Sequence, residues 1–433
     1  MRIGVLSSES HVNLSLEKEL SRVASSDAIS YHGETEQAIA YLNFEMPEIV
    51  IINFSDPVLD RSYIVGQIVA DTWLHNFGII GLFDKRRDEE RALADSLKKL
   101  NMLNLFEIDR MSGNLSKAID IIKDNRQVIS QREVSDKFTD KVSGSLVIDN
   151  DVLAVPNYVN LLAIYLYNKG FMDEETKANL NVALRELILN GIEHGNCKIT
   201  YEEKSAFLSS GRGIFDLVAE KCKDPKVAGK HVTLEYEIHQ ERSTFRVRDQ
   251  GEGFDVRKYL ASLATRDTTA LLGRGIIMAR GFCNKLSYNA KGNEAVLTVE
   301  HKPVDLASPQ GFRGEEAVRF KRGDIVFREG ELSNFVYYVL SGRFSVFHKK
   351  QHVGYVTPAD IFLGEMSFLL DNRRSATVRA EEDGKLIRIS KKAFINVIKS
   401  YPHYGIFLSR LIAHKLARTN ATTARYMGGE EEG

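Results

Sequence analysis

The sequence predicts a multidomain chain: an α/β N-terminal part, a middle part of helices followed by antiparallel strands, and an all-β C-terminal part closed by helices. Three observations predict it. The 433 residues exceed one ordinary domain and suggest about three. Residues 1–125 alternate short apolar runs with helical patterns, which makes a parallel sheet covered on both faces. Lys302 to Gly314 contains Pro303, Pro309, Gly311 and Gly314 and reads as a linker, after which short strands with regularly placed glycines take over.

Composition bounds the function. Hydrophobic residues make up 43% and charged residues 27%, as in a soluble globular protein. The net charge of -1 gives no basic excess, so no direct nucleic-acid partner is expected. Cys197, Cys222 and Cys283 have no metal-ligand spacing and fit a reducing compartment. The start, MRIGVLSSES, lacks a signal-peptide pattern. The longest apolar run, near Tyr158 to Tyr167, falls far short of the ~18–20 residues of a membrane span. The expectation is a cytoplasmic protein with no membrane contact.

In the first 125 residues, Arg2–Leu6, Ile49–Phe54 and Gly78–Phe83 read as buried strands. Leu14–Ala24, Thr35–Phe44 and Glu89–Leu100 read as helices. The layout resembles the doubly wound receiver domain of response regulators. That family needs an acidic pair after the first strand, an Asp ending the third, a hydroxyl ending the fourth and a Lys ending the fifth. Here Ser7, Ser8 and Glu9 follow the first strand, Asn53 holds the phospho-acceptor position, Phe83 replaces the hydroxyl, and Leu105-Phe106-Glu107 offers no Lys. An amide is not the nucleophile a carboxylate is. The resemblance therefore implies a pseudo-receiver used for docking or dimerisation; Asp56, a nearby carboxylate in the loop before Pro57, is the alternative acceptor.

Residues 126–142 read as a polar connector. A strand at Leu146–Ile148 and an apolar helix at Val159–Tyr167 follow. Asp173 then caps a long helix, with Glu174 and Glu175 in its first turn. The helix carries ALRELILNGIEHGN at Ala183–Asn196, where Leu180, Leu184, Leu187 and Ile188 form an apolar stripe. Glu186, Asn190 and His194 lie four apart on a polar face. Further on come DQGEGF at Asp249–Phe254 and GRGIIMARG at Gly273–Gly281. Together the three motifs resemble the N box and two glycine boxes of the two-layer α+β GHKL (Bergerat) ATPases, over residues 143–302. The nearest branch is the anti-sigma-factor serine kinases. The resemblance implies that Asp249 accepts from the adenine amino group and that Gly251 and Gly253 allow close approach of the base and sugar. It implies phosphate on Gly273, Arg274 and Gly275, Mg2+ on Asn190, and Glu186 as general base. Taken alone, Asp249 to Gly253 would also suit a hairpin turn, and His194 a locally satisfied helix end.

Ile199 to His231 reads as a surface insertion with one short helix, Ile214–Lys223. His231–Gln240 and Ser243–Asp249 read as a hairpin, Asp255–Leu263 as a helix and Arg266–Leu272 as a flexible lid. Lys285–Asn289 and Ala295–His301 read as returning strands.

After the linker at 303–314, residues 315–428 resemble a cyclic-nucleotide-binding domain, a jelly-roll β-barrel, with a short tail at 429–433. FKRGDIVFREGE, FVYYVLSGRFSVF and GYVTPADIFLGEMSFLLDNRRSATVRA carry the resemblance, with Gly323, Gly330 and Gly342 at its tight turns. It implies a phosphate cassette from Gly364 to Val378. Arg374 grips the cyclic phosphate through two guanidinium donors. Glu365 accepts from the ribose 2′-hydroxyl, and Gly364, Met366, Ser375 and Ala376 complete the loop. The departures are an extra residue at Leu363 and Ala359 at a usual turn glycine. A barrel that kept its fold and lost its ligand is the other reading. Lys391–Lys399 and Ile406–Arg418 read as the closing helices.

The combined expectation is a cyclic-nucleotide-regulated ATP-binding signalling protein, a protein serine/threonine kinase acting on an anti-anti-sigma-like domain or a sigma factor. ATP, Mg2+ and cAMP (or cGMP) are its expected ligands. The alternative is a non-catalytic switch that sequesters a partner. Homodimerisation is expected through the Ile406–Arg418 helix or the N-terminal domain. No His followed by an acidic residue lies on a helix before the ATP motifs, against a histidine kinase.

Overall fold

A computed structural model describes residues 1–24, 26–125, 141–257, 285–302, 304, 308–370 and 373–413. Most of the expected connector, the lid, Gly273, Arg274, Gly275 and Cys283 lie outside the described residues. So do Arg418 and the tail.

The first sheet is parallel, in the order β2-β1-β3-β4-β5, from β1 (Arg2–Leu6), β2 (Ala28–His32), β3 (Ile49–Asn53), β4 (Gly78–Phe83) and β5 (Met102–Glu107). Its helices are α1 (Ser10–Val23), α2 (Thr35–Glu45), α3 (Arg61–Ala70), α4 (Glu90–Ser96) and α5 (Asn114–Asp124). β3 and β4 are buried at every residue, the continuous apolar run of a sheet covered on both faces. Expected strands β1, β3 and β4 stand where the sequence put them. The edge strand β2, half exposed with no strong apolar alternation, and helix α3 were not anticipated.

The second sheet is antiparallel, β6-β7-β8-β10-β9: β6 (Lys141–Asp149), β7 (His231–His239), β8 (Arg242–Arg248), β9 (Lys285–Tyr288) and β10 (Glu294–Glu300). Inward residues alternate strictly along β7, where Val232, Leu234, Tyr236 and Ile238 are buried. They meet α6 (Val155–Asn168) and α7 (Glu174–Asn190). Asp173 caps α7, accepting from the Thr176 amide at 2.7 Å, as its sequence predicts. The region after α7 is a correction. In place of one surface helix there are three, α8 (Tyr201–Ser209), α9 (Ile214–Lys221) and α10 (Pro225–Ala228), and Leu217 and Val218 of α9 are buried in the domain core.

The C-terminal strands form two antiparallel four-stranded sheets. One is β11 (Glu316–Phe320), β18 (Gly384–Ser390), β13 (Phe335–Ser341) and β16 (Phe362–Leu363). The other is β12 (Ile325–Phe327), β17 (Thr377–Ala380), β14 (Phe344–His348) and β15 (Gln351–Val356). Helices α11 (Glu365–Leu369) and α12 (Lys391–Ser400) follow, and α13 occupies residues 402–413. Along β13, Tyr337 and Val339 face the barrel interior while Val336, Tyr338 and Leu340 face the helices. Gly323, Gly330 and Gly342 all adopt positive φ at turns, as expected. Leu363 pairs with Tyr337 and is buried in the barrel wall. The left-handed residue of that turn is Ile361, at φ 67°.

The three parts share cores. Helix α6 packs on both the second sheet and β5 of the first, and one apolar cluster runs through it. Asn104 donates to Asn157 Oδ1 at 3.1 Å, and Asn160 donates to the Leu103 carbonyl at 2.8 Å. The barrel docks on the first domain through Trp73, Leu74 and Met46, which are buried with Tyr338, Phe362, Tyr404 and Phe407. Among the described residues no helix is long and apolar enough to cross a membrane.

Candidate nucleotide-binding sites

Helix α7 brings Glu186 and Asn190, both half-buried, to one face one turn apart. Past Asn190 the helix widens into a π-type turn, Gly191–Asn196, a distortion found frequently at functional sites. His194 takes the local role: Nδ1 bonds the Ile199 carbonyl at 2.6 Å and the ring packs on Tyr201. Glu193, 3% exposed, is neutralised by Lys204 at 2.5 Å.

The wide turn lies directly against Asp249. Cβ atoms built on Gly191 and Gly195 would sit 3.2 Å from Asp249 Cβ and 2.3 Å from its Oδ1. Asp249 accepts from the Gly251 amide at 2.7 Å, its main-chain N–H donates to the Asn293 carbonyl at 3.0 Å, and its carbonyl accepts from Asn293 Nδ2 at 3.1 Å. Burial pushes the Asp249 carboxyl above the ordinary carboxylate range. A half-buried carboxylate with a raised pKa and a fixed backbone gains from an N–H donor such as an exocyclic amine.

The two glycines of this loop pack against the protein's own backbone. Gly251 is pressed on the Gly195 carbonyl, where a Cβ would fall 2.5 Å away. Gly253, at φ 80°, leaves only 1.9 Å between a Cβ and the Lys291 carbonyl. The close approach at both is to the protein's own backbone. Sequence reasoning missed four asparagines that hold this floor. Asn196, 0% exposed, accepts from the Gln250 amide at 2.9 Å and donates to Asn150, while Asn293 and Asn289 bind the hairpin end. Asn196 and Asn293 each directly follow a glycine, a turn signal that could have flagged them.

In the barrel, Gly364 adopts φ 78° and Glu365 and Arg374 are 6% and 4% exposed. The Arg374 guanidinium stacks on Phe327 at 4.1 Å, with Tyr337 at 5.9 Å. Its Nη1 donates to the Gly364 carbonyl at 3.0 Å and to Ser367 Oγ at 3.2 Å, and Nη2 to the Phe335 carbonyl at 2.5 Å. Nε is buried and has no hydrogen-bond partner. Burial pulls the Arg374 pKa below its ordinary value, and no carboxylate among the described residues forms an ion pair with it. Glu331 and Glu365 lie close enough to favour the charge, and the buried guanidinium keeps one idle donor, Nε, that an anionic phosphate could take. A Cβ on Gly364 would fall 2.3 Å from Nη1, so only glycine admits the arginine here. Ser375 is exposed and its carbonyl accepts from His348 at 2.9 Å, Ala376 is half-buried, and Met366 is 45% exposed.

The corresponding end of the first sheet is closed. Asn53, 2% exposed, donates to Glu9 at 2.9 Å, and Arg87 bonds Glu9 and the Ser55 carbonyl at 2.9 and 2.8 Å. Asp56 accepts from the Ser8 amide and hydroxyl and from the Val58 amide at 2.6, 2.7 and 3.0 Å. Phe83 is buried, and Glu107 pairs with Lys85 at 2.5 Å.

Comparison with known proteins agrees with two of these regions. Residues 155–299 match the histidine kinase-like ATPase domain family, and residues 317–401 match the cyclic nucleotide-binding domain family. The Cyclic AMP receptor protein of Thermus thermophilus is 28% identical over 102 residues, 22% of this chain and 47% of that protein. Lysophospholipase NTE1 of Pyricularia oryzae is 24% identical over 119 residues, 27% of this chain. The chain spans 8% of that relative's length. Among solved structures, the catabolite activator protein of Thermus thermophilus is 23% identical, covering 27% of this chain and 57% of its own, with a TM-score of 0.26. The chain thus carries an ATPase-type domain of the histidine kinase-like family and a cyclic-nucleotide-binding domain.

Proposed function

We propose that this chain is a cyclic-nucleotide-regulated protein serine/threonine kinase of the anti-sigma-factor type. The observation that carries the proposal is the seating of Asp249 on Gly195 and Gly251, at the end of the helix that presents Glu186 and Asn190. In this reading Asp249 accepts from the adenine amino group. The Asn190 carbonyl oxygen holds Mg2+, a hard cation that takes its other ligands from phosphate and water. Glu186 accepts the proton of a serine or threonine hydroxyl on the partner. That oxygen bonds the γ-phosphorus as the bond to the β-γ bridging oxygen breaks, and ADP leaves. The partner is an anti-anti-sigma-like domain, with a sigma factor as a second. The barrel takes cAMP through Arg374 and Glu365. The N-terminal domain is a degenerate receiver, its acceptor position held by Asn53.

The sharing of cores among the three domains favours one second reading: ATP and cyclic nucleotide set a conformation that sequesters a partner, without transfer. Two substitutions separate the readings. Asn190→Ala should abolish Mg-dependent ATP binding. Glu186→Ala should keep binding and lose transfer of label from γ-labelled ATP to candidate partner proteins. Equal transfer by wild type and Glu186→Ala removes the base assignment and leaves the sequestration reading.

A further inference from the structure

The contact between the barrel and the first domain is centred on one carboxylate. Asp71, 5% exposed, lies between α3 and β4. Its Oδ1 accepts from the Tyr404 hydroxyl at 2.7 Å, the Gln310 amide at 2.9 Å and Trp73 Nε1 at 3.2 Å. The donors come from α13, from the linker and from the first domain itself. Trp73, the only tryptophan in the chain, is 7% exposed, with Tyr404 and Phe407 edge-on at 4.7 and 4.9 Å. Burial and the Asp71 carboxylate push the Tyr404 phenol up, so it stays a donor at any working pH.

Such a contact has two states and little between. A carboxylate drawn partly away from its donors stays out of water without compensation, so intermediate separations are disfavoured. On the barrel side it connects to the Arg374 pocket within one helix. Arg374 donates to Ser367 on α11, and the next residue, Phe368, packs on Phe394 at 5.5 Å in the cluster that holds Trp73. On the other side, β4 pairs with β5, Asn160 of α6 donates to the Leu103 carbonyl of β5, and Asn181 of α7 donates to Asn160. Helix α7 carries Glu186 and Asn190.

We propose that the N-terminal domain is an intramolecular coupler: its Asp71–Trp73 surface reads the position of α13 and transmits it through β5 and α6 to the helix that carries Glu186 and Asn190. The proposal rests on the barrel and α7 regions binding cyclic nucleotide and ATP. A direct seam, where a Cβ built on Gly170 would lie 3.5 Å from Pro358, is the competing route.

The test uses the full chain with ATP and cAMP, and cGMP in a parallel series. Three readings are taken: the Kd for cAMP, the Kd for ATP with and without saturating cAMP, and the emission of Trp73. In wild type, cAMP should change the ATP Kd by about 5-fold or more and shift the emission of the buried indole. In Tyr404→Phe and Asp71→Asn, cAMP should bind within about threefold of wild type, while its effect on the ATP Kd collapses. An unchanged effect in both variants, or wild-type emission that ignores bound nucleotide, overturns the coupler and leaves the ligand assignments standing. Failure of cAMP and cGMP to bind wild type refutes the barrel reading itself, and the coupler with it. Two variants and an optical readout guard against loss of fold in one.

Discussion

Gly195 has no room for a side chain because Asp249 fills the space. A Cβ at Gly195 would lie 2.3 Å from the Asp249 Oδ1. The wide turn that ends α7 and Asp249 are thus one packed unit. Gly195→Ala should displace the carboxylate from the Gly251 amide and weaken ATP binding by about tenfold or more, the loss of one hydrogen bond to a charged group. Calorimetry with ATP and Mg2+ checks it, with unchanged cAMP affinity as the control for folding. ATP affinity equal to wild type would remove Asp249 from the adenine site.

Acetyl phosphate and beryllofluoride should leave the mass and spectra of the chain unchanged, because Asn53 is an amide and Asp56 is fully engaged by Ser8 and by backbone amides. The same network gives a pH signature. Burial opposes the charge on Asp56, but the hydrogen bonds from Ser8, Val58 and Leu59 outweigh it and hold the pKa below its ordinary 3.8. A depressed folded pKa adds stability that is complete above the unfolded value and is lost as pH falls through the folded one. Asp56→Asn should therefore destabilise the domain by about 1–3 kcal/mol at pH 7. The difference should shrink once the pH drops below 3.8. Thermal melts of both chains across that range check it.

Arg374→Ala should cost cAMP binding most of the substitutions in the barrel. Removing one partner of a buried charge pair costs roughly 2–5 kcal/mol, about 30-fold to several thousand-fold in affinity. Glu365→Gln should cost less, since an amide oxygen still accepts from a 2′-hydroxyl. Tighter cGMP than cAMP binding, lost in Ser375→Ala, would reverse the base preference and keep the site.

Much of this was legible because the responsible chemistry is local. Asp173 caps its helix through its own side chain, alternation marks β7, and Gly323, Gly330 and Gly342 turn where their backbone freedom is needed. What escaped depends on distant partners. Nothing near Trp73 in sequence announces that it packs on Tyr404, and the asparagines at 150, 196 and 293 reveal their role only when the turns they brace are brought together. The contacts of the DQGEGF glycines with the Gly195 and Lys291 carbonyls are of this distant kind too.

Helix α6 belongs to two sheets, and that limits how the chain can be divided. A cut near residue 141 would look natural from sequence, yet it strips Asn157, 1% exposed, of its Asn104 donor and Asn160 of its Leu103 acceptor. It also bares the apolar flank that packed on β5. A fragment released there would self-associate through that flank. The first two sheets should therefore unfold in one transition, and cleavage between them should destabilise both.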